Sequence, residues 1–500
     1  MSGPLHLVAE ETGEDWDRTV QLRTLPRPRP RPAEAERAPE LSADPIDELA
    51  ERLADLCAYA VHPYEIAAFL ESDGMTDQQA ALVYGRPDAF TLAEELFARV
   101  PRRYRGTGAE FSNPWRADPW RCLVRGLVFA LPGFGYLLGA HLFAPGRTQF
   151  GLPAGAAALA VATLAGWGWN QGLAHRAYGW LGRGQRRAAG HCLTWGASAG
   201  AALATGAAWA VGGPPAALWF AAGQSVYLAS ATVLLVLGRE TVLLAALAPS
   251  TVGAGVVLAV PVPGAVRTGV LLVTTALALG LAGRELVRCF REPAGTTDVY
   301  LPFRDEVPQV LFGLAAGTMT LIAGLGDTLH QALAHTAAPT GGSPAGPQMA
   351  ALSLSLGLAE WLLFRYRELA VGALRTSHGP AEFTRRTTGY LLGCLACYLT
   401  VVALLDAAAA LLWPGAPRLD AAALAALVLL GAALWLALLL NAFGLSWTTA
   451  LVCAACAGYQ VTALLAGTAP TADRLAGCGG AALLLTLIAV PVLGRTTKHR

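Results

Sequence analysis

From residue 122 to the C-terminal end, the chain is written as apolar runs of about 20 residues separated by short polar connections. Few folds accept this pattern. In hydrocarbon every backbone N–H and C=O must be satisfied within the segment, so runs of this length have to be helices. The runs fall at 122–143, 150–173, 190–211, 214–237, 241–260, 266–283, 308–326, 348–364, 388–412, 421–440, 447–467 and 474–493. Most can span a hydrocarbon core of about 30 Å at ~1.5 Å per residue. The run at 348–364 is the shortest, and it reads as continuing inward through Arg367.

Charge is scarce and unevenly placed. Only 14% of the 500 residues are charged, against about 25% in soluble domains, and the acids concentrate before residue 120. Net charge is +1, which gives no global field for nucleic acid or an acidic partner. Lys498 is the only lysine, a coding bias of GC-rich bacterial genomes. The nine cysteines lie mostly in or beside apolar runs, which argues against a disulfide framework. The first residues have neither a basic start nor an apolar core, so they do not read as a signal peptide.

Five regions follow. Residues 1–43 form a Pro/Arg-rich arm whose alternating Pro26 to Pro32 stretch can build neither helix nor packed strand. Residues 44–100 form a small helical module. Asp44-Pro45 starts one helix, Glu65 to Glu71 makes a second, Thr76 caps a third, and Asp88 opens a fourth with Phe90, Ala93, Leu96, Phe97 and Val100 as its apolar stripe. Its many acids face only Arg52 and Arg86 between Ile46 and Phe97, the wrong sign for phosphate contact. The module is therefore expected to meet protein rather than nucleic acid. Residues 101–121 are a basic hinge. Arg102, Arg103, Arg105, Arg116, Arg121 and Arg125, with Trp115 and Trp120, are expected at an anionic membrane surface, with membrane lipids as partners. Residues 122–305 and 306–500 make two membrane halves.

Arginine in the connections sets the orientation. Clusters precede the first run and follow the second, fourth, sixth and eighth, and Arg495, Lys498 and Arg500 close the tail. The alternate connections hold single arginines or none. Both ends are thus expected in the cytoplasm of a multi-pass cytoplasmic-membrane protein, with an even number of spans. The layout of runs one to six recurs in runs seven to twelve. Gly168-Trp169-Asn170 leads to Arg176, Arg183, Arg186 and Arg187, as Glu360-Trp361 leads to Arg365, Arg367, Arg375, Arg385 and Arg386. Six helices per half is even, so the halves are expected to be parallel. The fold class is all-α: about twelve spans in two parallel six-helix halves, plus the N-terminal helical bundle.

Candidate site residues are few. Glu360 is the carboxylate deepest inside a run, about 11 residues or roughly 17 Å from its outer end. An ionisable group there is a functional candidate for ion coupling, or else a partner of Arg365 or Arg367. Asn170 and Gln224 are candidate pathway or interhelical groups. Asp406 and Asp327 read as solvated at an interface. Cys394-x-x-Cys397 and Cys453-x-x-Cys456 have no acid or His beside them and read as packing residues rather than metal ligands. No phosphate loop, nucleophile elbow or zinc-protease motif occurs, so no enzyme activity and no cofactor are expected.

Twelve spans in two parallel sets of six resemble two transporter superfamilies. In one of them, the major facilitators, the second connection carries a Gly-x-x-x-Asp-Arg-x-Gly-like motif. Here that connection reads Tyr178 to Arg187 and lacks the Asp. The long basic connection and Gly223-Gln224-Ser225-Val226-Tyr227 look more like the polysaccharide and lipid-linked-oligosaccharide flippases, grouped with the multidrug and toxin extruders. The resemblance covers about residues 120–495 and implies a flippase-like fold. Module, hinge and twelve spans together also look like actinobacterial integral membrane proteins, one of which acts in hyphal septation and sporulation. The two functions to separate are a scaffold recruiting proteins through residues 44–100 and a transporter of a lipid-linked or apolar envelope component.

Overall fold

The structure, a computed structural model, describes residues 44–101, 119–149, 152–293, 303–334, 346–412 and 420–499. The Pro/Arg-rich arm, and Arg102, Arg103, Arg105 and Arg116 of the hinge, lie outside them. The chain divides into two compact units, one holding residues 44–101 and one the long helices.

The N-terminal unit is five helices: α1 (Pro45–Arg52), α2 (Ala54–Tyr59), α3 (Pro63–Ser72), α4 (Asp77–Tyr84) and α5 (Ala89–Arg99). Side-chain caps start all of them but α2, with His62 serving α3. The Asp44 carboxylate accepts from the Ile46 N–H at 3.1 Å, Thr76 and Gln79 form a capping box, and Asp88 accepts from Thr91 N–H at 2.7 Å. The sequence reads one helix from Pro45 to Ala60; it is two, interrupted at Leu53. The apolar stripe of α5 also differs. Ala89, Leu92, Ala93 and Leu96 are buried, while Phe90 is 46% exposed and meets only the edge of the Tyr64 ring. Helix α5 begins at Ala89, so the i, i+3, i+4, i+7 set runs through 89, 92, 93 and 96. Those residues close a core with Ile46, Leu49, Ile66 and Leu70. Arg99 then fastens α5 to the start of α1, bonding Asp44 at 2.8 Å and Asp47 at 2.5 Å.

The second unit begins with α6 (Pro119–Ala130) and α7 (Gly133–Gly139), separated at Leu131–Pro132. A two-stranded antiparallel hairpin follows, β1 (Ala144–Gln149) and β2 (Leu152–Ala154). It takes the place of the first residues of the run read at 150–173. Helices α8 (Ala156–Leu181), α9 (Arg186–Val211), α10 (Pro215–Val236), α11 (Glu240–Ala259) and α12 (Gly264–Arg291) complete a first set. A second set holds α13 (Val307–Leu333), α14 (Gly346–Thr376), α15 (Pro380–Leu412), α16 (Ala421–Ala442), α17 (Ser446–Leu465) and α18 (Pro470–Leu493). Each apolar run of the sequence thus has its main part in helix, the first divided between α6 and α7 and the second entering through β2. Among the described residues, nine helices are long and apolar enough to cross a membrane. The others are α8, α9 and α14, which carry the polar groups: Asn170, Gln171 and His175 on α8, Arg186, Arg187 and His191 on α9, and Glu360, Arg365 and Arg367 on α14.

Packing within the first set pairs α8 with α9 and α10, α9 with α12, α10 with α12, and α11 with α12 and with α6 and α7. In the second set α14 packs on α15 and α16, α15 on α18, α16 on α18, and α17 on α18 and α13. Two helix-to-helix contacts join the sets, α6 on α14 and α8 on α13, and β2 also touches α13. Both helix contacts rest on glycine, the usual route to close helix approach where the surroundings are apolar. A Cβ at Gly357 would sit 2.6 Å from the Cys122 carbonyl oxygen and 2.9 Å from the Gly126 Cα. A Cβ at Gly313 would sit 3.0 Å from the Trp167 carbonyl oxygen and 3.1 Å from the Gly168 Cα.

Candidate functional site

The α6–α14 contact carries the densest buried charge. Arg125 of α6 donates to Glu240 Oε1 at the start of α11, from Nε at 2.8 Å and Nη2 at 2.7 Å. Its Nη1 bonds Glu360 Oε1 of α14. Arg121, one helical turn earlier, reaches Glu240 at 3.5 Å. The Glu240 side chain is 6% exposed, Glu360 14% and Arg125 20%. Two carboxylates and two guanidinia therefore cancel, all but the 39% exposed Arg121 largely out of water, and one planar guanidinium ties three helices through its separate N–H groups. Glu240 also lies in the first turn of α11, where the helix dipole favours negative charge.

Neighbouring contacts fix Glu360 in place. The Trp435 indole donates to the Ala359 carbonyl at 3.1 Å, and the Ser355 and Tyr398 hydroxyls are 3.1 Å apart. Trp435 and Tyr398 are fully buried, so α14 cannot rotate without breaking this packing. The α8–α13 contact has its own ion pair, Arg176 to Glu306 at 3.0 Å, with the guanidinium over the Phe303 ring. Close by, Gln309, Asn441 and Ser446 satisfy one another at 2.7–3.0 Å and tie α13 to α16 and α17.

The residues singled out in the sequence do not form one constellation. Glu360 is paired, though with Arg125 rather than with Arg365 or Arg367. Arg365 bonds Glu368 at 2.7 Å on the outside of α14, and Arg367 lies over the Phe443 ring. Asn170 is buried on α8, beside Gln171. Gln224 is on α10 and donates to Thr163 at 3.2 Å and to the Tyr136 hydroxyl. Arg121 and Arg125, read as part of the interface cluster, point instead at Glu240. Asp327 is half exposed and pairs with Arg474 at 3.0 Å. Asp406, expected to be solvated, is 4% exposed. It stands one turn beyond the buried Val402 on the face of α15 that packs inward, a placement that distance from the helix end does not reveal. Glu240 was missed because it sits one residue before its apolar run. The available signal was an acid at a helix start, opposite the arginines of the first span.

Comparison with known proteins finds no matching family model, no matching curated protein and no matching solved structure.

A cavity of about 350 Å³ lies away from this cluster, between α7, α10, α11 and α12. Gln224 lines it; Glu360 does not. Its walls are mainly apolar and include Tyr136, Trp219, Phe220 and Leu271. Between α13, α16 and α18 of the second set, a pocket of about 10 Å³ is lined by Arg474. That guanidinium donates to the Ala323 carbonyl at 2.9 Å as well as to Asp327. Among the described residues no three His, Cys, Asp or Glu side chains converge as metal ligands.

Proposed function

We propose that the chain is a multi-pass cytoplasmic-membrane protein that serves as a scaffold in cell-envelope or cell-division machinery, gathering partner proteins through residues 44–100. On this reading it has twelve spans in two parallel six-helix halves with both ends cytoplasmic, in a flippase-like layout. The order of packing supports the halves. Counted within each set, the second helix packs on the third and fourth, the fourth on the sixth, and the fifth on the first and sixth. The contacts between sets are reciprocal too, first on eighth and seventh on second. The arginine distribution supports the orientation.

The observation that carries the scaffold is the use made of Glu360. The deepest carboxylate is consumed by Arg125 in a three-helix clamp, and it does not line the 350 Å³ cavity. Transport coupling requires a carboxylate that a substrate or proton can reach. A transporter or flippase of a lipid-linked or apolar envelope component is the second reading, favoured by the break at Leu131–Pro132 beside the cavity. Two alleles in the native host separate them. A chain lacking residues 44–100 should fail to complement a deletion, and Glu360→Gln should complement it. The reverse pattern would replace the scaffold with the transporter.

A further inference from the structure

We infer that the cavity between α7, α10, α11 and α12 is a lipid site that takes one fatty-acyl chain of a membrane phospholipid through the side of the helix bundle. Its volume of about 350 Å³ lies in the range of about 300–1,000 Å³ that proteins use to enclose small organic ligands. The inference requires only that these helices cross a bilayer, and it stands apart from the choice between scaffold and transporter.

Three features select hydrocarbon over a polar ligand. No charged residue is among those lining the cavity. Five of the polar side chains that line it, Tyr136, Gln224, Ser250, Thr268 and Thr274, already have partners, which leaves only Trp219, Tyr227 and Thr275 to meet an occupant. Ser250 donates to the Leu247 carbonyl at 2.9 Å, and Thr274 to the Val270 carbonyl at 2.9 Å. The Thr268 hydroxyl is 3.1 Å from His141 Nε2, and Gln224 bonds Thr163 and Tyr136. A polar occupant would exchange its water contacts for at most these few groups on a mainly apolar wall, whereas an acyl chain gives up none. Finally, the lining residues Tyr136, Trp219 and Leu272 are 41%, 67% and 64% exposed on the outside of the bundle. Helices α10 and α12, and the α6–α7 segment, are all candidate spans, so what reaches the cavity from that side is lipid.

The space is built into this set of helices. A Cβ at Gly223, in the wall, would meet nothing within 4 Å, and one at Gly135 only Leu271 at 3.8 Å. In the second set the pocket between α13, α16 and α18 holds only about 10 Å³, and its lining includes the charged Arg474. Rigid walls of aromatic and branched side chains would hold a seated chain by close contact, since transfer from lipid to protein brings little hydrophobic gain.

The test uses the full chain in nanodiscs of phosphatidylcholine and phosphatidylglycerol in which a fraction of the lipid carries a diazirine on one acyl chain. After photolysis, label is mapped by peptide mass spectrometry. The expected result is labelling around Trp219, Tyr227 and Leu272 that saturates as the probe fraction rises, while labelling of the exposed α15 positions Leu404 and Leu411 rises in proportion. Gly223→Phe should lower the cavity label to the level of α15 and leave the α15 label unchanged. Proportional labelling at both places in the wild-type chain would overturn the inference, independently of any variant. So would cavity labelling unchanged in a folded Gly223→Phe protein, or a cross-linked second copy of the chain at Trp219.

Discussion

A single side chain, Arg125, holds α6, α11 and α14 together, and its removal should be felt more than that of any surface arginine. Taking away one partner of a buried ion pair costs about 3–5 kcal/mol, because the remaining charge is left unpaired. Arg125→Ala should therefore lower the thermal unfolding midpoint in detergent sharply. The triple change Arg125→Met, Glu240→Gln, Glu360→Gln should recover most of the loss, since the one charge left over, Arg121, is 39% exposed and can be hydrated. Equal instability of the single and triple variants would show that packing, not charge, holds these helices. In the N-terminal unit the charges are exposed and act through pH. Asp44 is held below its ordinary 3.8, first by the Ile46 N–H and then by Arg99, and Glu95 below 4.5, first by Arg86. Carboxyls depressed on folding stabilise the fold at any pH above those ordinary values and lose the contribution as pH falls through the lower folded ones. Hydrogen exchange of α1 and α5 amides, corrected for intrinsic rates, should thus show constant protection down to about pH 5 and a decline below about pH 4. Arg99→Gln should flatten that decline.

At the scale of elements, the glycine contacts set how closely the two sets approach. Gly357→Leu would drive a side chain into the Cys122 carbonyl and the Gly126 backbone, neither of which can rotate away. Overpacking of this kind costs about 1–3 kcal/mol, to be read as a lower unfolding midpoint, whereas Gly372→Leu on the same helix, with nothing near its Cβ, should be neutral. The elements are also where the sequence was most legible. Hydropathy located every long helix, because apolar length is a local property. It did not reveal which faces meet. Glu360 and its partner Arg125 are 235 residues apart, and no local pattern links them. The interruption at Leu131–Pro132 is marked by its proline, but strand β2 is not separable by apolar content from the helix after it. The break at Leu53 likewise has no proline or glycine to announce it. Burial of Asp406 depends on which face α15 turns inward, which the apolar sequence around it leaves open.

For the whole molecule, reciprocal packing makes a prediction about assembly. If each set is a unit that folds around its own core, a chain cut in the connection between α12 and α13 should reassemble. Co-expressed fragments 1–297 and 298–500 should co-purify through the α6–α14 and α8–α13 contacts, and Gly357→Leu or Arg125→Ala should weaken that association. Fragments that remain apart would mean that the second set needs the first during folding. The cores agree with separate units. Trp435, Tyr398 and Tyr366 centre one cluster in the second set, and Leu193, Leu234 and Leu243 another in the first.

The contact of Gly126 with Gly357 also constrains motion. Backbone touches backbone there, so neither helix can slide by a residue without setting Leu127 or Leu358 where a glycine now sits. Sliding is closed, and tilting remains. The contact is a fulcrum placed near one end of a lever, beside the Arg125 clamp. Any tilt of one set against the other displaces atoms in proportion to their distance from it, so the α8–α13 contact must give whenever the sets tilt.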